Sequence, residues 1–412
     1  MPAGERQPGT ATGSPSMSRL RVAAFAAALC ATACGSAGGP DLEFADWLFP
    51  VPEGTPVIEY APVAIADRDP AAIQVVDDLV IGGDPDDEHT MFYNPTGILP
   101  LASGEILVSE LGNKRVQMFS ADGEFVQVIG RTGQGPGEFQ APFGLFEAGD
   151  GFGVIDIQNR RISLFSGGGD FLADHAMGFS MFSNYVPSLA DGSFVVLTSQ
   201  RDAQGNPMQA VTRYSSQGEP LARLFAMPGP PPPDPATAQE PTAQAQHLID
   251  SSAWPRPDLA ATAEIVYASP GSEYQVLAMT PEGEPLWALR VAWPPPPYAA
   301  AQKELRIAAM RQRFPGIEVD DFTWPASEPA ITSLRTDGAG RLYVFPNVSA
   351  ADVEGVQGRP VDVYSPQGEL LVAGMITTSW MSSRDDYLYT FRGDPELDQT
   401  VVVRYRLRIA ER

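Results

Sequence analysis

The chain has 412 residues, of which 43% are hydrophobic and 19% are charged, a balance that excludes a disordered chain and allows a large core. Acidic residues outnumber basic ones by 51 to 27, for a formal net charge of −24. A folded body this acidic repels nucleic acid and anionic lipid, so we expect neither as its partner.

The N-terminus has the pattern of an export signal. Arg19 and Arg21 precede an apolar run over 22–33, which is too short to span a bilayer but is typical of a secretory signal. We therefore predict a signal peptide at 1–33, with Met17 as the possible true start.

The signal ends Ala-Thr-Ala-Cys-Gly at 31–35, which resembles a bacterial lipobox. The resemblance implies that Cys34 is lipidated, becomes the first mature residue and attaches the protein to a membrane. The alternative is an ordinary secretory signal cleaved after Ala33.

Cys30 and Cys34 are the only cysteines, so the mature body has none for a disulfide or a thiolate metal site. Residues 34–69 are predicted to be the lipidated cysteine, a Gly/Ser-rich tether and an irregular lead-in.

A strand–turn–strand unit recurs along the rest of the chain. Its copies lie at 115–125, 161–171, 210–221, 275–286, 360–371 and 401–407. Apolar and polar residues alternate in each copy, and a glycine-containing turn follows in all but the last. A repeated β-unit of this size predicts a closed propeller.

The first strand of the repeat region has no unit of its own. Residues 79–101 repeat the pattern of residues 126–146, in which the last strand of one unit leads through a crossover into the next unit. The strand near 73–81 must therefore pair with the C-terminal strands at 386–391 and 401–407. We predict an all-β fold over 70–412, a six-bladed β-propeller closed by an N-terminal strand that completes the last blade.

Two insertions interrupt the predicted blades. The blades are expected at 96–130, 142–174, 185–225, 264–291, 330–376 and 377–407. The insertion at 227–262 opens with prolines, continues with Ala/Gln-rich sequence, and is predicted to be irregular. The insertion at 293–329 is predicted to carry one short helix near 298–314, ended by Pro315-Gly316.

Three segments resemble NHL-type repeats, namely 113–119, 129–139 and 159–165. The whole chain resembles the bacterial six-bladed, TolB-like propeller lipoproteins. This resemblance implies a lipid-anchored protein of the bacterial cell envelope, at the periplasmic face or the outer membrane. It predicts the fold rather than an activity.

The two faces of the predicted disc differ in their connections. Because strands alternate in direction, first-to-second and third-to-fourth strand connections share one face, which we call the short-turn face. The other connections and both insertions share the opposite, loop-rich face. Since propeller function gathers where loops vary, we predict that the loop-rich face binds an envelope protein, a peptide or a glycan.

Seven polar residues on the loop-rich face are candidate ligand-binding residues, because arginine binds carboxylates through two hydrogen bonds and Asn or Asp can hydrogen-bond sugar hydroxyls. They are Glu110, Asn113, Asp156, Asn159, Arg160, Arg201 and Asp202. The NHL resemblance implies an alternative, in which Asn113, Arg115, Asn159 and Arg161 tie strands and blades together.

No catalytic residue, metal ligand or cofactor is predicted. His89, His175 and His247 lie in unrelated segments, and the sequence has no Gly-x-Ser-x-Gly nucleophile motif. The alternative function is a calcium-dependent, lactonase-like hydrolase at the central channel. Its oxygen ligands could come from Glu110, Asn159 and Asp202.

Overall fold

Antiparallel hairpins follow one another along most of the chain. The computed structural model describes residues 46–84, 87, 89–181, 183–317, 322–394 and 399–410; the predicted signal peptide and Cys34 lie outside them. The strands of the first half are β1 (Val57–Tyr60), β2 (Ile73–Ile81), β3 (Pro95–Pro100), β4 (Ile106–Glu110), β5 (Arg115–Phe119), β6 (Phe125–Ile129), β7 (Pro142–Ala148), β8 (Gly151–Asp156), β9 (Arg161–Ser166), β10 (Phe171–Ala176), β11 (Phe194–Arg201), β12 (Pro207–Tyr214) and β13 (Pro220–Pro228). Those of the second half are β14 (Asp258–Ala261), β15 (Val266–Ser269), β16 (Gln275–Met279), β17 (Pro285–Val291), β18 (Ile331–Thr336), β19 (Leu342–Pro346), β20 (Arg359–Tyr364), β21 (Leu370–Ile376), β22 (Ser382–Arg384), β23 (Tyr387–Asp394) and β24 (Gln399–Ile409).

These strands form the six blades of a β-propeller. Blade 1 contains β3–β6, blade 2 β7–β10, blade 3 β11–β13, blade 4 β14–β17, blade 5 β18–β21, and blade 6 β22–β24 with β2. The inner strands of neighbouring blades meet around the axis, since β3 contacts β7 and β22, and β14 contacts β18. The prediction of a six-bladed propeller is confirmed.

The N-terminal strand closes the ring as predicted. β2 pairs antiparallel with β24, with Ile73 opposite Ile409 and Ile81 opposite Val402. Ile73 and Ile81 are buried at the two ends of the strand. Blade 6 is therefore built from both ends of the chain, and the sheet edge that an open array would expose is paired.

The repeated turn has a local physical cause, which Ser120, Gly123 and Glu124 illustrate. The Gly123 N–H donates to the Ser120 carbonyl oxygen at 3.0 Å, and the Glu124 N–H donates to Ser120 Oγ at 3.2 Å. Gly123 has φ +85°, in the left-handed region that a side chain disfavours. Blades 2 to 5 place a glycine with positive φ at the same step of the turn, namely Gly169, Gly218, Gly283 and Gly368.

The core lies between neighbouring blades. Between blades 5 and 6, for example, Tyr343, Phe345 and Val403 pack around Trp380, which is 2% exposed. The Trp380 Nε1–H donates to the Thr336 carbonyl oxygen at 3.0 Å, so the indole N–H keeps a hydrogen-bond partner although the ring is buried. Strands with both faces covered, such as β4, are buried at every residue.

The first insertion differs from the prediction. It is shorter at both ends, since β13 continues to Pro228 and Asp258–Ala261 is the inner strand of blade 4. It also contains a helix, α1 (Pro241–Ala253), where irregular structure was expected. A proline at the first helical position and a run of Ala and Gln favour this helix, and the upstream prolines outweighed that signal in the prediction.

The helix predicted in the second insertion is present as α2 (Ala300–Arg313). Ala245 and Ile249 of α1 join Ile307 and Met310 of α2 in one small apolar cluster. The two insertions thus pack against each other rather than standing apart. No helix in the described residues is long and apolar enough to cross a membrane.

The lead-in is more ordered than predicted. β1 adds to blade 4 as a fifth strand, parallel to β17, with Ile58 opposite Leu289. A short 3₁₀ helix (Ile65–Asp67) follows. Blade 3 is less regular than predicted, because its innermost segment joins β11 through scattered bonds such as Val195 N–H to Pro187 O at 3.1 Å.

Candidate functional site

Glu110 of the predicted ligand-binding set lies at the end of β4 and is completely buried. Its Oε1 accepts a hydrogen bond from Arg115 Nε at 2.6 Å, and its Oε2 accepts bonds from Asn113 Nδ2 at 2.7 Å and from the Tyr93 N–H at 2.9 Å. The carboxylate therefore closes its own hairpin and fixes the incoming crossover.

Asp156 occupies the equivalent position in blade 2 and is also completely buried. Its oxygens accept the backbone N–H groups of Gln140 at 2.8 Å and Ala141 at 3.0 Å, and the Asn159 side-chain amide at 2.8 Å. The same amide donates to the Gly133 carbonyl oxygen at 3.1 Å. Asp156 and Asn159 thus hold the crossover between blades 1 and 2.

Arg161 completes this arrangement. Its Nη1 donates to the Gln134 carbonyl oxygen at 3.0 Å, and its Nη2 donates to the Gly135 carbonyl oxygen at 2.7 Å. An ion pair of 3.2 Å joins it to Asp174 on β10. These contacts are those of the alternative role, in which the Asp/Glu-x-x-Asn-x-Arg pattern ties strands and crossovers together.

The remaining predicted residues lie apart from these clusters. Arg160 sits at the tip of the β8–β9 hairpin with φ +53°. Arg201 Nη1 donates to the Gly205 carbonyl oxygen at 2.6 Å within the exposed β11–β12 hairpin. In that turn, the hydrogen bond from the Asn206 side chain lowers the pKa of the Asp202 carboxyl. The set is therefore distributed over hairpins of three blades, and its role in ligand binding stays a prediction.

The proposed calcium ligands come from three different blades. Glu110, Asn159 and Asp202 belong to the second-to-third strand hairpins of blades 1, 2 and 3. Across the part of the chain that the structure describes, no three His, Cys, Asp or Glu side chains lie close enough to hold a metal ion. The hydrogen bonds of Glu110 and Asn159 go to their own hairpins and crossovers, and a calcium-binding role for the three residues stays a prediction.

An apolar groove of about 520 Å³ lies on the loop-rich face. Three connections form it: the segment after β1, the proline run after β17, and the loop after β19. It is lined by Pro62, Val63, Ala64, Ile65, Trp293, Pro294, Pro295, Pro296, Pro297, Asn347, Val348, Ser349 and Asp352. The sequence prediction missed this groove, although Trp293 beside four prolines was a signal for it.

Trp293 is held rigidly at the groove. Its Nε1–H donates to the Asn347 carbonyl oxygen at 2.9 Å, which ties the proline run to the loop after β19. The Arg68 guanidinium lies 5.6 Å from the indole ring. Arg68 is itself buried, and its Nη1 donates to Asp362 Oδ1 at 2.7 Å. This network fixes one wall of the groove before any partner arrives.

The central channel contains a cavity of about 540 Å³ that reaches the short-turn face. Its walls come from the inner strands and first turns of several blades, including Leu99, Leu145, Ser188, Ala261, Thr336 and Ser383. An ion pair of 2.6 Å joins Arg384 of blade 6 to Glu147 of blade 2, and Arg384 Nε also donates to the Pro100 carbonyl oxygen at 2.9 Å. Three blades are thereby linked at the mouth.

Tyr185 lines this cavity, Asp258 is the first residue of the inner strand β14, and both are partly exposed. The Arg335 guanidinium is 4.9 Å from the Tyr185 ring. Asp258 Oδ2 accepts the Leu334 N–H at 2.6 Å. Burial raises the pKa of the Asp258 carboxyl, and the positive charge of Arg335 opposes that rise. Asp258 is thus a carboxylate with a raised pKa on an inner strand, and the sequence prediction did not include it.

Comparison with known proteins agrees on the fold. The model of the family DUF5128, described as a 6-bladed beta-propeller, matches residues 94–188. A search of curated proteins gives no significant match.

Solved structures extend the likeness over most of the chain. A Bacteroides fragilis protein, provisionally described as exported, is 13% identical and has a TM-score of 0.52, over 86% of this chain and 99% of that one. A Bacteroides vulgatus member of the DUF4221 family is 10% identical, with a TM-score of 0.46, over 82% of this chain and 99% of that one. A streptogramin B lyase is 9% identical, with a TM-score of 0.38, over 82% of this chain and 97% of that one. At these identities the likeness concerns the fold alone.

Proposed function

We propose that this protein is an exported, lipid-anchored binding module of the bacterial envelope, and that its loop-rich face holds a segment of a partner protein. The observation that carries the proposal is the groove lined by Trp293 and Pro294–Pro297. A concave, largely apolar surface with a few polar groups at one side suits an extended peptide. Apolar side chains of the peptide can fill the groove while Asn347 and Ser349 contact the peptide backbone.

The position of the lead-in supports an anchor on the same side. Gln275 begins β16 at the loop-rich end of blade 4, and its side chain bonds the Asp46 carbonyl oxygen at 2.8 Å and the Leu48 N–H at 3.0 Å. Cys34 precedes Asp46 by 12 residues. A tether of that length spans at most about 40 Å when fully extended. A lipid on Cys34 would therefore hold the propeller within reach of a membrane, where the partner would be an envelope protein.

Site-directed photo-crosslinking in an expressing bacterium tests the proposal. A photoreactive residue at Ser349, beside the groove, should form a discrete protein adduct, and Val348→Asp should abolish it. The matched control places the same residue at Ala121, on the short-turn face, where we expect no adduct.

Equal adducts from both positions, or an adduct only from Ala121, would show that the partner does not bind specifically to the loop-rich face. A glycan adduct at Ser349 would retain the face but reject a protein partner. Unchanged melting temperatures of the variants establish that loss of the adduct reports binding.

A further inference from the structure

The cavity in the central channel is apolar at depth and polar at its mouth on the short-turn face. On β7, Leu145 lines the cavity, and Glu147 follows two residues later on the same side of the strand. Val186 and Ser188 repeat this order in the innermost segment of blade 3. Both segments run towards the short-turn face, so in each of them the apolar residue lies deeper than the polar one.

The deeper part of the cavity offers ring surface and one free acceptor. Asn184 and Tyr185 both line it and precede Val186 in the same segment. The Asn184 side-chain amide donates to the Thr96 carbonyl oxygen, which links blade 3 to blade 1. Among the residues that the structure describes, Asn184 Oδ1 accepts no hydrogen bond, so it remains available to a ligand.

Four acidic residues line the cavity, and two of them have a basic partner. Glu147 forms an ion pair of 2.6 Å with Arg384, and Asp337 forms one of 2.7 Å with Arg341. Arg384 is the only basic residue in the described lining of the cavity, and it is already committed to Glu147.

The other two acidic residues, Glu264 and Asp385, lie exposed at the mouth. Glu264 belongs to the turn between β14 and β15, and Asp385 to the turn between β22 and β23. In the described part of the chain, neither carboxylate has an ion-pair partner. A side chain at Gly338 would collide with the Asp385 backbone, so the blade 5 turn packs directly against Asp385. The mouth therefore keeps two uncompensated negative charges.

We propose that the central cavity binds a small organic cation, with its apolar body inside the channel and its ammonium group at the mouth. The charged groups that remain free are carboxylates and the free amide atom is an oxygen, so a fitting ligand supplies donors and positive charge. A cleft lined by one sign of charge concentrates ions of the opposite sign. Its volume of about 540 Å³ is ordinary for a small-molecule site. The site lies on the face opposite the apolar groove, so either proposal can fail without the other.

The test titrates the purified full chain with phenethylamine and, separately, with phenethyl alcohol, and follows binding by ligand-observed NMR at neutral pH and constant ionic strength. The two probes have nearly the same shape and differ in charge. The amine should bind saturably, and the alcohol should bind about tenfold more weakly because it lacks the charge.

Glu264→Gln and Asp385→Asn remove the two free charges. Asparagine tolerates the φ of +50° at position 385, so this exchange keeps the turn. Each variant should weaken amine binding by about two- to fivefold, and the double variant by about tenfold, while alcohol binding stays unchanged. Ala339→Arg places a cation at the mouth from an exposed lining position and should abolish amine binding.

Glu124→Gln is the matched control, since Glu124 is an exposed acidic residue of the same face, in the turn between β5 and β6, and does not line the cavity. It should bind the amine as the wild type does. The proposal is overturned if the amine shows no saturable binding or if the alcohol binds equally well. It is also overturned if the double variant keeps the wild-type affinity, or if Glu124→Gln loses as much affinity as the double variant.

Discussion

Replacing Asp156 with alanine tests whether the predicted ligand-binding residues hold the fold together. Asp156 is completely buried and accepts the N–H groups of Gln140 and Ala141 across the blade 1–2 crossover. Each hydrogen bond to a charged group contributes about 1.5–3 kcal/mol. Losing both should lower the free energy of unfolding by about 3–6 kcal/mol. The bonds to Gln158 and Asn159 are local, and water can replace them more readily.

Urea unfolding followed by circular dichroism measures this loss. With an m-value of about 3 kcal/mol/M, the unfolding midpoint should fall by about 1–2 M. The matched control is Asp202→Ala, which removes a carboxylate that also caps two backbone N–H groups, but in an exposed turn. Water satisfies those groups, so its midpoint should not move. A midpoint shift for Asp156→Ala no larger than that of Asp202→Ala would refute the structural role and restore Asp156 as a candidate for ligand binding.

Three further predictions concern the two ends of the chain and the channel. In a lipoprotein-competent bacterium the chain should label with palmitate and Cys34→Ser should not; equal labelling of both would reject the anchor. Deleting residues 1–84 removes β2 and should abolish cooperative unfolding, whereas deleting residues 1–40 should not. Calorimetry measures both, and identical unfolding transitions of the two truncated proteins would contradict ring closure by β2. Burial raises the pKa of the Asp258 carboxyl above its ordinary value in the folded state, so its contribution to stability is present below the ordinary value and is lost as pH rises through the raised pKa. Asp258→Asn should therefore gain stability relative to wild type between about pH 3.5 and pH 7, and parallel pH profiles in urea unfolding would count against a raised pKa.

The repeated turns and the closing strand could be predicted because their signals are local. Each turn is fixed by a few adjacent residues, as Ser120, Gly123 and Glu124 show, and copying the unit copies its geometry. The closing strand was predictable because residues 73–81 match a last strand that has no unit before it. β1 was not, since four residues in parallel pairing with β17 leave no hairpin signal in the sequence.

The sites could be predicted only in part. The Asp/Glu-x-x-Asn-x-Arg pattern marked Glu110 and Asp156 as polar positions of the loop-rich face. The pattern alone could not show whether these side chains contact a ligand or the backbone of the crossovers. The groove is assembled from residues near 63, 295 and 348, which no sequence window contains.

The pairing of β2 with β24 also determines when blade 6 can form during synthesis. In N- to C-terminal synthesis, Ile73 appears early and its partner Ile409 appears almost last. Blades 1 to 5 can form from local hairpins as they emerge, but contacts between such distant residues form slowly. The sheet that joins both termini must wait for the final strand. Until then β2 has no partner strand, whereas β1 can already pair with β17 once blade 4 has emerged.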